Sequence, residues 1–141
     1  MRIMGIDYGT HATGVAITDE LQLTVRPLTT IRHRKRGFSE AITTICSLVV
    51  EHEVGELIVG LPLNMDGTRG KAAERVRRLV SQLEAHLTIP IVMIDERLTS
   101  YEADQILRER GANRIERRER SDEFAAALIL QDYLDGQSRR R

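Results

Sequence analysis

The amino-acid sequence predicts an α/β protein built on one mixed sheet, with its first three strands antiparallel, its later strands parallel and helices on both faces. Strand-like apolar segments come first and are joined by short turns, and helical and strand-like segments then alternate. Short turns join antiparallel neighbours, whereas a helix between two buried strands implies a right-handed crossover and a parallel pair. The order of the segments therefore predicts the mixed sheet.

The first three predicted strands lie at the N-terminal end of the chain. Residues 2–8 form a buried apolar strand, and "GVAIT" at 14–18 continues as a second strand after a tight turn that contains Gly9. Residues 23–31 form a third extended segment, in which Pro27 favours an edge position because proline cannot donate a hydrogen bond to a neighbouring strand. These segments predict an antiparallel start to the sheet.

The middle of the chain alternates helical and strand-like segments. Apolar residues recur every three or four positions over 38–52 and 73–87, which predicts two amphipathic helices. Short apolar runs at 56–62 and 89–95 predict buried strands, because they are too brief for helices. Each of these strands follows a helix, as expected in the parallel part of a sheet.

Two further helices are predicted in the last part of the chain. Thr99 and Glu102 have the spacing of a capping box, and the helix that they begin is expected to stop near Gly111. Ser121 is the expected N-cap of the last helix, which contains "DEFAAALILQDYL".

Length and composition limit the class of protein. The 141 residues are 41% hydrophobic and 30% charged, which indicates a soluble globular chain with one ordinary core. We expect one domain over residues 1–136 and a basic, disordered tail over 137–141. The sequence has no membrane-length apolar run and no export signal, so we expect no membrane association and a cytoplasmic location. The lone Cys46 excludes an intrachain disulfide.

The basic residues are mostly arginines, and they cluster although the formal net charge is zero. The clusters lie at 32–36, at 108–120 and at the C-terminal end of the sequence. Arginine matches the geometry of a phosphate group, so these clusters can contact a nucleic-acid backbone. A solvated surface is the alternative, because glutamates alternate with the arginines of 108–120.

Three carboxylates occur where the predicted fold can bring them together. Asp7 ends the first strand, Glu96 follows Asp95 at the end of the last strand, and Asp122 begins the last helix. The carboxyl ends of parallel strands share one edge of a sheet, so Asp7 can approach Glu96 and Asp122 can pack over the same edge. Crowded carboxylates repel one another unless cations lie between them, and hard oxygen ligands suit Mg²⁺ or Mn²⁺. A shared metal site is therefore one interpretation of these three acids.

Each of these acids also has an ordinary structural explanation. Asp7 could begin an Asx turn beside Gly9. Asp95 and Glu96 could be exposed residues at a strand end, and Asp122 could stabilise the N-terminus of a helix. Sequence spacing alone leaves these alternatives open.

Four motifs lie in order along nearly the whole chain: "GIDYGT" with "GVAITD", "IVGLPLNMDGT", "DERLTS" and "DEFAAALILQDYL". Together they resemble the YqgF (RuvX) family, whose members are described as Holliday junction resolvases and as pre-16S rRNA nucleases. The resemblance implies a ribonuclease H-like fold and a divalent-metal-dependent nuclease that hydrolyses phosphodiester bonds in structured nucleic acid. It also implies that Asp7, Glu96 and Asp122 are the catalytic, metal-binding residues.

Other polar residues near the predicted site are candidates for substrate binding. They are Thr10, His11, Asn64, Asp66, Arg69 and Arg97. The segment "MDGT" could instead be only a turn, and Arg97 could instead pair with Asp95. Family members commonly carry a basic residue in the turn that here contains His11, so His11 either replaces a phosphate contact or has no role.

Two other functions are weighed against the nuclease. "DYGT" also resembles the phosphate-binding turn of sugar kinases and actin-like ATPases, but those proteins need two lobes and 141 residues hold one. A non-catalytic nucleic-acid-binding module would keep the fold and the arginine surface, and the presence of all three acids opposes it. Junction resolution would favour a symmetric dimer, because two cuts need two sites. No residue decides between branched DNA and structured RNA.

Overall fold

The computed structural model describes residues 1–34, 38–64, 66–95 and 114–140, with single positions at 105, 108, 109 and 111; in the last segment it describes side chains for 122–136. In chain order, the elements are β1 (Arg2–Tyr8), β2 (Ala12–Thr18), β3 (Val25–Arg32), α1 (Phe38–Glu51), β4 (Val54–Leu61), α2 (Lys71–His86), β5 (Ile91–Asp95) and α3 (Arg114–Arg140).

The described strands form one mixed sheet in the order β3-β2-β1-β4-β5. β2 pairs antiparallel with both β1 and β3, whereas β4 pairs parallel with both β1 and β5. The predicted arrangement of antiparallel first strands and parallel later strands is therefore confirmed. Because β1, β4 and β5 run in the same direction, their carboxyl ends lie along one side of the sheet, which we call the carboxyl edge.

Two apolar cores cover the two faces of the sheet, as predicted. On one face, residues of α1 and α2 such as Ile45 and Leu79 pack with Met4 and Ile6 of β1. On the other face, α3 packs against the sheet through the cluster of Ile3, Ala16, Ile58, Ala126, Ile129 and Leu130. The alternation of side chains along β1 therefore divides the strand between an α1/α2 face and an α3 face.

The strand ends differ from the predicted ends by a few residues. β2 begins at Ala12 rather than at residue 14, because the turn before it is tight: the Gly9 amide donates to the Ala12 carbonyl over 2.8 Å. β3 is an outer strand and carries Pro27, which confirms the predicted edge position.

Every helix in the described parts of the chain is too short or too polar to cross a bilayer.

α3 begins earlier than the sequence predicted. It starts at Arg114, so Ser121 lies inside the helix and its prediction as the N-cap was wrong. Arginine and glutamate over 114–120 are good helix formers and extend the helix toward its N-terminus. The helix continues to Arg140, past residue 136, where we expected the domain to end.

The helix predicted over 99–111 lies almost wholly outside the described residues. At its predicted end, Gly111 has a φ of 79° and its amide donates to the Arg108 carbonyl over 2.9 Å. A glycine in the left-handed conformation is typical of the residue that follows a helix.

Candidate functional site

Asp7 lies near the end of β1 on the α3 face of the sheet. Ile3 belongs to the core against α3, and a Cβ at Gly5 would lie 3.0 Å from both the Ala126 carbonyl oxygen and the Cβ of Leu130. Side chains two residues apart on a strand share a face, so the half-buried Asp7 also faces α3.

Gly14 allows α3 to come close to Asp7. In the β1–β2 pair, Gly14 is the direct partner of Asp7, which sets their Cα atoms roughly 4.5–5.5 Å apart. A Cβ at Gly14 would overlap the main-chain carbonyl of Asp122 and lie 2.8 Å from the amide nitrogen of Glu123. Since only glycine lacks that atom, only glycine permits this approach. The main chains of Asp7 and Asp122 are thus neighbours of the same glycine.

The Asp122 carboxyl is half-buried, and this burial raises its pKa above the usual value for aspartate. The positive charge of Arg32 opposes this increase in pKa, as does that of His33, while the negative charge of Glu123 adds to it. A cation placed beside Asp122 would favour its ionised form further. In the absence of such a cation, burial is the largest of these effects, and the pKa of Asp122 is raised.

His33 and its neighbours form a part of the site that sequence reasoning missed. The His33 Nδ1 donates to the Arg34 carbonyl over 2.8 Å, and its Nε2 is hydrogen-bonded to the buried Thr13 hydroxyl over 2.9 Å. Its ring stacks on that of Tyr8, with centroids 5.7 Å apart, and Tyr8 is adjacent to Asp7 in β1. The only sequence signal for His33 was its membership of the basic cluster at 32–36.

The third predicted acid, Glu96, and the candidate Arg97 lie outside the described residues. Glu96 follows directly after Asp95, the last residue of β5, which pairs with Leu61 at the carboxyl end of β4. Among the described residues, no three histidine, cysteine or carboxylate side chains are grouped closely enough to hold a metal ion. Asp7 and Asp122 supply two hard oxygen donors, and their chemistry fits Mg²⁺ or Mn²⁺.

The turn between β1 and β2 presents Thr10 and His11 to solvent. A Cβ at Gly9 would lie 2.6 Å from the Ala12 carbonyl oxygen, so the tightness of the turn requires glycine. The His11 carbonyl accepts a hydrogen bond from the His33 amide over 3.0 Å, which ties the turn to the end of β3. Both side chains are exposed in the turn, which follows the end of β1 that carries Asp7.

The loop after β4 is a hydrogen-bonded turn. The Asp66 carboxylate accepts from both the amide and the hydroxyl of Thr68, over 2.9 and 2.6 Å, and the Asn64 side-chain amide donates to the Thr68 hydroxyl over 3.0 Å. Gly67 has a φ of 88°, a value that favours glycine. These contacts give Asn64 and Asp66 a role within the turn, whereas the side chain of Arg69 is exposed.

Comparison with known proteins identifies relatives over almost the whole chain. Residues 1–136 match the family model described as "RuvX: Holliday junction resolvase". A protein of Anaeromyxobacter sp. (strain Fw109-5) is 43% identical over 136 residues, covering 96% of this chain and 98% of that protein. A protein of Thermoanaerobacter pseudethanolicus is 45% identical over 140 residues, covering 97% and 98%. Both carry the provisional name pre-16S rRNA nuclease.

Solved structures with low sequence identity share the fold. Thermus thermophilus RuvC in complex with a Holliday junction substrate superposes with a TM-score of 0.59 at 14% identity, covering 96% of this chain and 95% of that one. The fowlpox virus resolvase in complex with Holliday junction DNA gives a TM-score of 0.57 at 9% identity, covering 97% and 99%. The likeness to RuvC confirms the predicted ribonuclease H-like fold class. By its sequence match over residues 1–136, the chain belongs to the RuvX family of Holliday junction resolvases.

Proposed function

We propose that this protein is a divalent-metal-dependent nuclease that hydrolyses phosphodiester bonds in structured nucleic acid. The observation that carries the proposal is the close approach of the Asp122 main chain to Gly14, the strand partner of Asp7, because it brings the acid-bearing parts of β1 and α3 together. The family membership and the names of the relatives support nuclease chemistry. Those names point to precursor 16S rRNA and to four-way DNA junctions as the two substrates to compare.

Asp7, Glu96 and Asp122 would hold Mg²⁺ or Mn²⁺ in this proposal. Such ions, when bound, activate water for attack on phosphorus and stabilise the charge of the departing oxygen. Glu96 is assigned as the third ligand because it follows β5 at the carboxyl edge. β1 and α3 place the main chains of the other two acids beside Gly14, and sites built on strands and helices are held more precisely than sites on loops.

Residues around the acids would position the substrate. Thr10 and His11 follow Asp7 closely in the chain, and the exposed Thr10 hydroxyl and His11 ring could donate hydrogen bonds to phosphate oxygens. Arg32 lies close enough to Asp122 to oppose the rise in its pKa, and its guanidinium could also contact a phosphate. The other proposed substrate contacts are Asn64, Asp66, Arg69 and Arg97.

The proposal is tested by a cleavage panel. Four-way DNA junctions, single strands and precursor 16S rRNA are incubated with Mg²⁺ or Mn²⁺ and the wild-type, Asp7→Asn or Asp122→Asn protein. We expect cleavage of one structured substrate by the wild type, and its loss in both variants and in EDTA. Asp135→Asn is the matched control, because Asp135 is an exposed aspartate of α3 whose carboxylate accepts from Gln131 over 2.9 Å.

Each result of the panel separates the proposed function from an alternative. If the wild type binds these substrates but cleaves none of them, the protein is a non-catalytic nucleic-acid-binding module. If the Asp7 variant cleaves as fast as the wild type, the assigned site is wrong. Tight ATP binding without cleavage, measured by calorimetry, would favour the actin-like ATPase. If the junction is the substrate, a dimer in solution is expected, because two cuts need two sites.

A further inference from the structure

A cleft of about 500 Å³ at the start of α2 is lined by cationic side chains. Its lining residues are Arg69, Gly70, Lys71, Glu74, Arg75 and Arg78. Four of these side chains are cationic and one is anionic, although the whole chain has no formal net charge. Positive charge is therefore concentrated in the cleft, which favours an anionic ligand.

The amphipathic pattern of α2 keeps these cations in solvent. The apolar residues of α2, which include Val76, Leu79 and Leu83, are buried against the sheet. The lining side chains that belong to α2 lie on another face of the same helix, and Arg69 precedes the helix. Within the parts of the chain that the structure describes, none of the four cationic groups forms an ion pair with a carboxylate.

The cleft lies near the carboxyl edge of the sheet. Arg69 pairs with Leu63 in an antiparallel bridge that closes the loop directly after β4. The guanidinium of Arg78 lies 5.9 Å from the centre of the Phe38 ring, and Phe38 stacks on Tyr8 with ring centroids 5.5 Å apart. Tyr8 follows Asp7 in β1, and its side chain points to the α1/α2 face. These contacts therefore place the cleft near the carboxyl end of β1, on the face of the sheet opposite to Asp7.

The spacing of the helical cations matches a run of phosphates. Lys71, Arg75 and Arg78 are four and three residues apart, so they form one stripe along α2. A rise of about 1.5 Å per residue makes this stripe roughly 10 Å long. One strand of a nucleic-acid duplex carries a phosphate about every 3.4 Å of helix axis, so the stripe can face about three phosphates.

We propose that this cleft binds the sugar-phosphate backbone of a substrate strand that continues beyond the scissile bond, on the α1/α2 side of the sheet. This inference rests on the proposed function, because the strand is the substrate of the Asp7 and Asp122 site. The cleft contacts phosphates rather than bases, so it binds without regard to sequence and favours substrates with long arms.

The test measures binding in EDTA, where no cleavage is expected. Fluorescence anisotropy gives the Kd of a labelled four-way DNA junction and of a labelled precursor 16S rRNA fragment over a series of salt concentrations. We expect Arg75→Gln/Arg78→Gln to weaken binding on the order of tenfold and to reduce the slope of log K against log salt by roughly 2. If the double variant binds only one of the two probes more weakly than the wild type does, the cleft is assigned to that nucleic acid.

Three variants control the interpretation. Arg77→Gln removes one charge from the same helix but not from the cleft, so its Kd and slope should match those of the wild type. Arg75→Lys/Arg78→Lys keeps the charge and should retain most of the salt dependence. Glu74→Gln removes the single acid of the cleft and should tighten binding. Thermal unfolding checks that each variant is folded.

The inference is overturned if the double glutamine variant keeps the wild-type Kd and salt slope with both probes, or if Arg77→Gln weakens binding as much as the double glutamine variant does. If the cleft substitutions weaken binding but the wild type cleaves no substrate, the proposed nuclease function alone is contradicted. If cleavage depends on Asp7 but the cleft substitutions leave the Kd unchanged, this inference alone is contradicted.

Discussion

The main-chain carbonyl of Asp122 lies against Gly14 at the position where a side chain would begin. Gly14 is also the strand partner of Asp7, so one glycine determines how closely the acid-bearing helix approaches the acid-bearing strand. A residue with no side chain therefore limits how closely the main chains that carry these two acids approach each other.

Gly14→Ala is expected to displace α3 and to reduce cleavage, because the new methyl group would overlap the Asp122 carbonyl. Overpacking of this kind typically costs about 1–3 kcal/mol of folding free energy. Urea denaturation and the cleavage assay measure the two effects. Gly136→Ala is the matched control, since a Cβ at Gly136 has no atom within 4 Å in the described structure. Wild-type stability and activity in Gly14→Ala would show that the close approach is unimportant.

Asp122→Asn is expected to stabilise the metal-free protein at neutral pH while it abolishes cleavage. Burial raises the pKa of Asp122 in the folded state, so the folded protein binds this proton more tightly than the unfolded chain does. The stability associated with the protonated carboxyl is fully present below the unfolded pKa and is lost as the pH rises through the folded pKa. An asparagine avoids that loss, and such a conflict between stability and activity is common at functional sites.

The measurement for Asp122→Asn is chemical denaturation in EDTA at neutral pH and near pH 3.5. The variant should be more stable than the wild type at neutral pH, and the difference should shrink at the lower pH. A variant that is less stable than the wild type at neutral pH would contradict the assigned environment of Asp122.

Much of the fold follows from local sequence pattern, whereas the site depends on tertiary contacts. β1 occupies the predicted residues 2–8 because a short apolar run next to a glycine turn has few other solutions. The N-cap prediction at Ser121 was wrong because it weighed a capping residue above the helix-forming residues before it. The contact between Gly14 and Asp122 joins residues far apart in the chain, and no spacing rule indicates it.

The basic cleft shows the same division between local pattern and tertiary placement. Arg69 was a candidate from its position after a parallel strand. Arg75 and Arg78 line the cleft because the apolar residues of α2 pack against the sheet, a placement that the local sequence pattern does not specify. Glu96 and Arg97, which lie outside the described residues, remain predictions that rest on the resemblance and on their position after β5.

Asp66→Asn is expected to keep most of the cleavage activity, whereas Asp66→Ala should lower it. An asparagine oxygen can still accept the Thr68 hydrogen bonds that hold the turn, and an alanine cannot. Loss of one such hydrogen bond typically costs about 0.5–1.5 kcal/mol. Cleavage rates and hydrogen exchange of the Thr68 amide measure the effect. Equal loss of activity in both variants would instead assign Asp66 a role that needs its negative charge.

The most direct test of the central claim is Mn²⁺ binding by calorimetry to the wild type, Asp7→Asn, Asp122→Asn and the double variant. If the two carboxylates share ions, each single substitution should weaken Mn²⁺ binding by more than about tenfold, since even residues that only support metal ligands typically contribute that much. The double variant should then be little worse than either single one, because coupled sites are not additive. Wild-type Mn²⁺ affinity in Asp122→Asn, with Asp135→Asn unchanged as the control, would contradict the account.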